Sequence, residues 1–391
     1  MKIYRYKLYT KAKRSGLHKT ITRFGEVRNY AVKMADGYYK YFGKTLTAYQ
    51  LSNHVAKKKK RDCATARLVE GLPSQAVQEC FARVYKGFRN YFAHCKRKKS
   101  GEFVANKRVR SPHERKPWKN RSFTLLQAGY KFNAGRTKIR IGEKWFGFFN
   151  SQPLKGRIKR VTIKRDWCGD LWIAVLTDWN ESVEVPRTGE AAGFDFGLKT
   201  FLTGSDGFDI FNPQFLKKDM DKYRRLSSLF SKKVKGSNQS KKARKARARF
   251  LRRITNKRND WQWKTAWELV RRYDVICLET LSIAGMQRHR NWGRQVSDLA
   301  YSDFLGKLDH LAAKCGKQVV YIDRWAATSQ TCHKCEKKSP LTKDMNVRSW
   351  VCPYCGAVLD RDRNAAIVIL RVGMSTLGRD LVSRLSAREA A

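Results

Sequence analysis

The chain opens on Met1-Lys-Ile-Tyr-Arg-Tyr-Lys-Leu-Tyr9, where charged and apolar residues alternate. That period of two predicts a half-buried strand and lacks the unbroken apolar core of a secretory signal. The period then lengthens. Phe24, Val27, Ala31, Met34 and Tyr38 recur at helical spacing, as do Val77, Phe81, Val84, Phe88 and Phe92. From about Ser122 to Thr177 the pattern returns to strands, and Arg160–Lys164 and Leu171–Leu176 flank Trp167-Cys-Gly-Asp170 as a hairpin. With the opening strand, these predict a small β-barrel interrupted by a helical insertion. Residues 181–190, with Pro186 and Gly189, read as a linker.

Beyond Ala191 the pattern changes again. Gly193–Leu198 is predicted as a buried strand, with Ser205-Asp-Gly207 as its hairpin turn. A helix marked by Leu216, Met220, Tyr223 and Phe230 follows, and Trp263, Ala266, Trp267 and Val270 mark another apolar helical face. Val275–Leu278 and Gln318–Ile322 read as strands around a helix marked by Phe304, Leu308, Leu311 and Cys315. Strands alternating with helices predict an α/β layer. No internal repeat is visible, and no apolar run approaches the length of a bilayer span.

Charge changes the picture most. Lys and Arg total 84 of 391 residues against 33 Asp and Glu, a formal charge of +51. A folded domain so charged repels itself unless a polyanion neutralises it, and nucleic acid fits that need. Aromatics at 12% and hydrophobics at 42% exclude a disordered basic tail. The basic runs 57–61 and 96–99 would each, alone, read as solvated loops. Between Ser231 and Arg258, however, lie thirteen Lys or Arg residues and no acid. Lys241, Lys242, Arg244, Lys245, Arg247, Arg249, Arg252 and Arg253 are the candidate phosphate contacts there.

Ten cysteines would suggest disulfides in a secreted chain, but six are scattered singly and four form two CxxC units. Cys332 and Cys335 are separated by sixteen residues from Cys352 and Cys355. Two such knuckles complete a tetrahedral four-sulfur Zn²⁺ site, closed and therefore structural. His333, between two ligands, is expected to be simply exposed. Three acids also stand out: Asp195 in an apolar strand, Glu279 ending Val275–Leu278, and Asp362 opening a helix. Singly, each could be a paired structural acid. A carboxylate in apolar surroundings needs a cation or a metal, and three in one α/β layer suit two-metal phosphodiester hydrolysis with Mg²⁺.

The stretches GFDFGLKTF, ICLETL, TSQTCHKC and CPYCGAVLDRDRNAA resemble, in order and spacing, the nuclease core of the TnpB family, transposon-encoded RNA-guided DNA nucleases related to Fanzor and type V CRISPR effectors. The resemblance is specific from Ala191 to about Leu370 and looser before that. It implies a multidomain α+β fold. A β-barrel wedge domain would occupy 1–10 and 115–185, with a helical recognition insertion at 11–114. A RuvC-like domain of RNase H topology would occupy 186–328 and 359–391, with a zinc ribbon for target nucleic acid at 329–358. Asp195, Glu279 and Asp362 match the family's catalytic triad, and Asp360 is left as a turn or cap residue. Positions matching the readers of the short target-adjacent motif are Tyr49, Ser74, Gln78 and Thr124.

The resemblance further implies a guide RNA from the transposon end, one protein per guide, and double-stranded target DNA whose displaced strand reaches the same site. It implies a prokaryotic cytoplasmic, nucleoid-associated setting without a membrane. Alternatives in the same terms are a non-cleaving transposon regulator and a compact type V effector. Departures from the family pattern are DFG for DLG, Ala326-Ala327 where proline is common, and NAAIVIL; none removes a metal ligand.

Overall fold

The computed structural model describes residues 1–9, 16–101, 109–180, 183–288, 292–344 and 347–389, with side chains followed to 378. The chain divides into two units, Met1–Glu181 and Ser182–Ala391, each built on its own core.

In the first unit, strand β1 (Lys2–Lys7) is followed by helices α1 (Leu17–Phe42), α2 (Ala48–Lys58), α3 (Cys63–Val69) and α4 (Ser74–Lys99). The helices start where capping chemistry allows. Thr47 and Gln50 form a reciprocal capping box on α2, and Asp62 accepts the first amides of α3. The first basic run begins in the last turn of α2 and the second fills that of α4, where cations meet the negative end of the helix dipole. Six strands follow: β2 (Ser122–Leu125), β3 (Tyr130–Phe132), β4 (Lys138–Ile141), β5 (Lys144–Gly147), β6 (Ile158–Arg165) and β7 (Leu171–Thr177).

These strands form an antiparallel sheet in the order β1-β7-β6-β2 and a three-stranded sheet β3-β4-β5, joined by a bridge between Leu8 and Phe148. Strict alternation along β7 buries Leu171, Ile173, Val175 and Thr177. The predicted helical stripes supply the other half of the core, and Phe24 of α1 stacks on Phe123 of β2 at 4.9 Å.

The second unit is a five-stranded sheet in the order β10-β9-β8-β11-β12. Its strands are β8 (Ala191–Phe196), β9 (Thr200–Gly204), β10 (Ile210–Phe211), β11 (Val275–Glu279) and β12 (Gln318–Ile322). β8, β11 and β12 run parallel, and β9 and β10 are antiparallel additions. The predicted first strand is shorter than expected and its turn lies elsewhere. The chain reverses directly after Phe196, and Ser205–Gly207 instead leads from β9 to β10. Gly197 takes that reversal at close quarters, because a Cβ there would sit 2.6 Å from the Thr200 carbonyl oxygen. The helix expected from Leu216 to Phe230 is interrupted at Asp219 into α5 (Phe215–Lys218) and α6 (Met220–Ser231). Helix α7 (Asn238–Arg272) then carries the basic segment. Lys241, Lys242, Arg244, Lys245, Arg249 and Arg253 are exposed while Phe250 and Ile254 are buried. Arg247 and Arg252 are half-buried, Arg247 lying 4.5 Å from the Phe230 ring.

Alternation sorts the sheet's two faces. Ala192, Phe194, Ile276 and Leu278 join Ala266, Leu269 and Val270 of α7 and Phe304, Leu308 and Leu311 of α10 (Tyr301–Cys315) in one core. The intervening residues, Gly193 and Asp195 on β8 and Cys277 and Glu279 on β11, turn to the opposite face. There the last helix, α11 (Arg361–Glu389), crosses β8, β11 and β12. Two glycines permit its close approach. A Cβ on Gly193 would lie 2.3 Å from the Ala366 carbonyl oxygen, and one on Gly373 would lie 2.4 Å from Cys277 Sγ.

Gly193→Ala therefore forces helix backbone away from the sheet, and we expect a loss of about 1–3 kcal/mol in denaturant unfolding. Gly306→Ala, in α10 with nothing within 4 Å of the added methyl, should be neutral or stabilising by about 0.5–1 kcal/mol. Equal effects of the two would contradict the packing account.

Candidate active site and metal centre

Parallel pairing puts the first two acids side by side. Leu278 is in register with Phe194, so Glu279 and Asp195 each stand one residue further along, at the C-terminal ends of adjacent central strands. Asp362 enters from the first turn of α11. Arg363 anchors that turn by donating to the Gly204 carbonyl at 2.8 Å and to Asp209 at 3.3 Å. Asp360 caps the helix, accepting the Arg363 amide at 2.8 Å, which is the cap role expected of it.

The three acids interact. Burial pushes the Asp195 carboxyl up to about 8, and the negative charges of Glu279 and Asp362 add to the rise. Burial also raises Glu279, whose carboxylate accepts a 3.4 Å hydrogen bond from Thr328. A cluster that resists its own ionisation is a site that a divalent cation would stabilise. Asp362 already has a cation: Arg348 reaches its two carboxylate oxygens at 3.3 and 3.2 Å.

The four cysteines form the other centre. Their Sγ atoms all lie within 4.8 Å of one another, with Cys332–Cys355 at 3.7 Å and Cys335–Cys352 at 3.6 Å. Sulfurs bonded tetrahedrally to one Zn²⁺ stand about 3.8 Å apart, so the donor set fits that ion. The two knuckles share a backbone design. The amides of Glu336 and Gly356 return to the carbonyls of Cys332 and Cys352, each at 2.9 Å. Both residues are left-handed, at φ 61° and 71°, so the glycine suits its place and Glu336 holds the same turn as a non-glycine residue. Among the described residues this is the one group of three or more possible ligands so close together.

The ribbon and α11 are tied at the first knuckle, and here the expectation for His333 is corrected. His333 is half-buried. Its amide donates to Asn364 Oδ1 at 2.9 Å and its ring Nδ1 lies 3.0 Å from the same atom. Asn364, 1% exposed, donates in turn to the Thr331 carbonyl at 2.8 Å. Arg371, two turns along, donates to the His333 carbonyl and to Glu336, both at 2.6 Å. A buried asparagine amide needs such partners, so the knuckle and the helix fix each other.

Sequence reasoning missed Thr328, Arg348, Asn364 and Arg371. Thr328 and Asn364 stood inside stretches already singled out, but Arg348 lay in the spacer between the cysteine pairs with no periodicity to mark it. In the first unit, Tyr49, Ser74 and Gln78 are exposed. Thr124 is not: it is 1% exposed, and its hydroxyl is engaged by Arg83 and by Thr162.

Comparison with known proteins now adds to this geometry. A family model described as "Probable transposase" matches residues 174–290, and one described as "Cas12f1-like, TNB domain" matches residues 301–369. A Streptomyces pristinaespiralis protein named "Putative RNA-guided DNA endonuclease" is 31% identical over 327 residues, covering 81% of this chain and 75% of that protein. TnpB-like protein L79 of Acanthamoeba polyphaga mimivirus is 27% identical over 277 residues, 66% of this chain and 52% of that protein. A cryo-EM structure of a Cas12f1–sgRNA–target DNA complex superposes with a TM-score of 0.53 at 13% identity, covering 90% of this chain and 82% of that one. At that identity the likeness is one of fold. The extent and level of the streptomycete match, with the transposase match inside it, identify the chain as a member of the TnpB family.

Proposed function

We propose that this protein is a transposon's RNA-guided DNA endonuclease that cleaves double-stranded DNA in one carboxylate site. The observation that carries the reading is the placement of Asp195 and Glu279 at adjacent strand ends beneath Asp362, where burial first, and the neighbouring acids second, raise Asp195 to about 8. A relative named "Putative RNA-guided DNA endonuclease" covers 81% of the chain at 31% identity, and the charge of +51 suits a protein that holds RNA and DNA together.

In this reading Asp195, Glu279 and Asp362 would hold two Mg²⁺ ions, which when bound would supply water activation and stabilise the leaving oxygen. The chain's own side chains set the stage. Thr328 orients Glu279, and Arg348 keeps Asp362 compensated until metal and phosphate arrive. The ribbon's zinc is structural: it holds the knuckle that grips Asn364 and Arg371, and so the start of α11. The first unit would be the wedge and recognition region and the second the RuvC-like nuclease with its ribbon. Base pairing with a transposon-end guide would read the target, and the protein would read a short adjacent motif in the duplex. Tyr49, Ser74 and Gln78 present exposed side chains for that contact, whereas Thr124 would act from behind Arg83. The exposed basic face of α7 would line the channel for the A-form heteroduplex. No described helix is long and apolar enough to cross a membrane.

Asp195→Ala should abolish Mg²⁺-dependent cutting of guide-matched plasmid while target binding by the guide complex, measured by gel shift, stays within about twofold. A variant that still cuts would remove Asp195 from the site. Cys352→Ser should lower cutting far more than guide-RNA affinity, because the ribbon acts through α11. Equal loss of both, in cleavage and filter-binding assays on the same preparation, would overturn that local role.

A further inference from the structure

Two tryptophans of the first unit contribute little to its core. Trp167 is 80% exposed at the tip of the β6–β7 hairpin, and Trp118 is 61% exposed on a 3₁₀ turn, Pro117–Lys119. Exposed apolar rings are common enough singly, but these two stand on fixed backbones. The Trp167 turn is held by Asp166, whose carboxylate accepts the amides of Cys168 and Asp170 at 2.9 and 2.8 Å and the Trp172 indole N–H at 3.2 Å. Gly169 supplies the left-handed residue, φ 80°, that this turn requires. The Trp118 turn is pressed onto α1 where Gly25 has no side chain; a Cβ there would lie 2.5 Å from the Pro117 carbonyl oxygen.

The two turns are also laced together. Arg165 donates to the carbonyls of Trp118 and Asn120 at 2.9 and 2.8 Å, and its own amide donates to the Arg121 carbonyl at 2.7 Å. Each ring carries a cation. The Arg121 guanidinium lies 4.1 Å from the Trp167 centroid, and Lys116 Nζ lies 5.4 Å from that of Trp118.

We infer that Trp167 with Arg121, seconded by Trp118 with Lys116, forms a stacking platform for an unpaired nucleobase of bound RNA. An indole with a guanidinium against it offers a flat π surface beside a phosphate-seeking cation, the combination single-stranded nucleic acid uses. The surplus of 84 basic over 33 acidic residues disfavours a basic partner. The bases of intact duplex DNA are stacked on one another, whereas folded RNA presents splayed bases at loops, bulges and ends. The inference rests on the chain's being an RNA-binding protein, not on its cutting DNA.

The test is a titration of the full chain, stripped of nucleic acid in high salt, against a single-stranded RNA oligonucleotide carrying 2-aminopurine, whose fluorescence falls on stacking. The wild-type chain should quench it, and Trp167→Phe should do so nearly as well. Trp167→Leu, which keeps apolar bulk but no π face, and Trp167→Ala should weaken binding by about tenfold and lose the quench. Arg121→Ala should weaken binding while leaving part of the quench. Circular dichroism reports that each variant is folded. Unchanged quench and affinity in Trp167→Leu would overturn the proposal. So would tighter binding of the matching DNA oligonucleotide, which would give the platform to DNA. The titration has no cleavage step, so an inactive Asp195 site leaves its outcome unchanged.

Discussion

The close contact between α11 and the parallel strands is the constraint on which the rest of the second unit depends. Gly193 on β8 faces the backbone of Ala366 and Leu370, and Gly373 on α11 faces Cys277 of β11. Without a side chain at either place the helix settles directly on the sheet, and its first turn arrives over the strand ends that carry Asp195 and Glu279. The same helix receives the zinc ribbon through Asn364 and Arg371. Sheet, helix, ribbon and acids are thus one mechanical chain, in which the four-cysteine knuckles support the geometry of the three acids.

Electrostatics explains why the acids are where they are. In a chain of such positive charge, carboxylates are scarce, and many of those described have a basic partner, as Asp274 has Lys317 and Asp209 has Arg363. Asp195 and Glu279 are placed against each other and against burial instead. That arrangement costs stability on its own and would become favourable with divalent cations bound. Arg348, reaching from the ribbon to Asp362, is the local counter-ion, and its position ties the ribbon directly to the site.

Much of this was legible in the sequence because it rested on strong local signals. Period two marked β1, buried and hairpin strand patterns marked β8 and β7, period 3.6 marked α1, α4 and α10, and the paired CxxC spacing marked the ribbon. What escaped was non-local. The turn after Phe196 was hidden because Gly197 is followed by the apolar Leu198, which prolongs the strand pattern. His333 read as a bystander because its partner Asn364 lies 31 residues away. Thr124 looked available as a polar strand residue, but its hydroxyl is taken up between α4 and β6. Arg348 was one arginine among many until the fold brought it to Asp362.

The central claim is that Asp195, Glu279 and Asp362 share bound divalent metal. Iron(II) substituted for magnesium, with ascorbate and peroxide, generates hydroxyl radicals that cut the polypeptide beside the ion, and mass spectrometry locates the breaks. The account predicts breaks near 195, 279 and 362 that excess Mg²⁺ suppresses and that Asp195→Ala loses. Breaks confined to other segments, or insensitive to Mg²⁺ at these three, would contradict it.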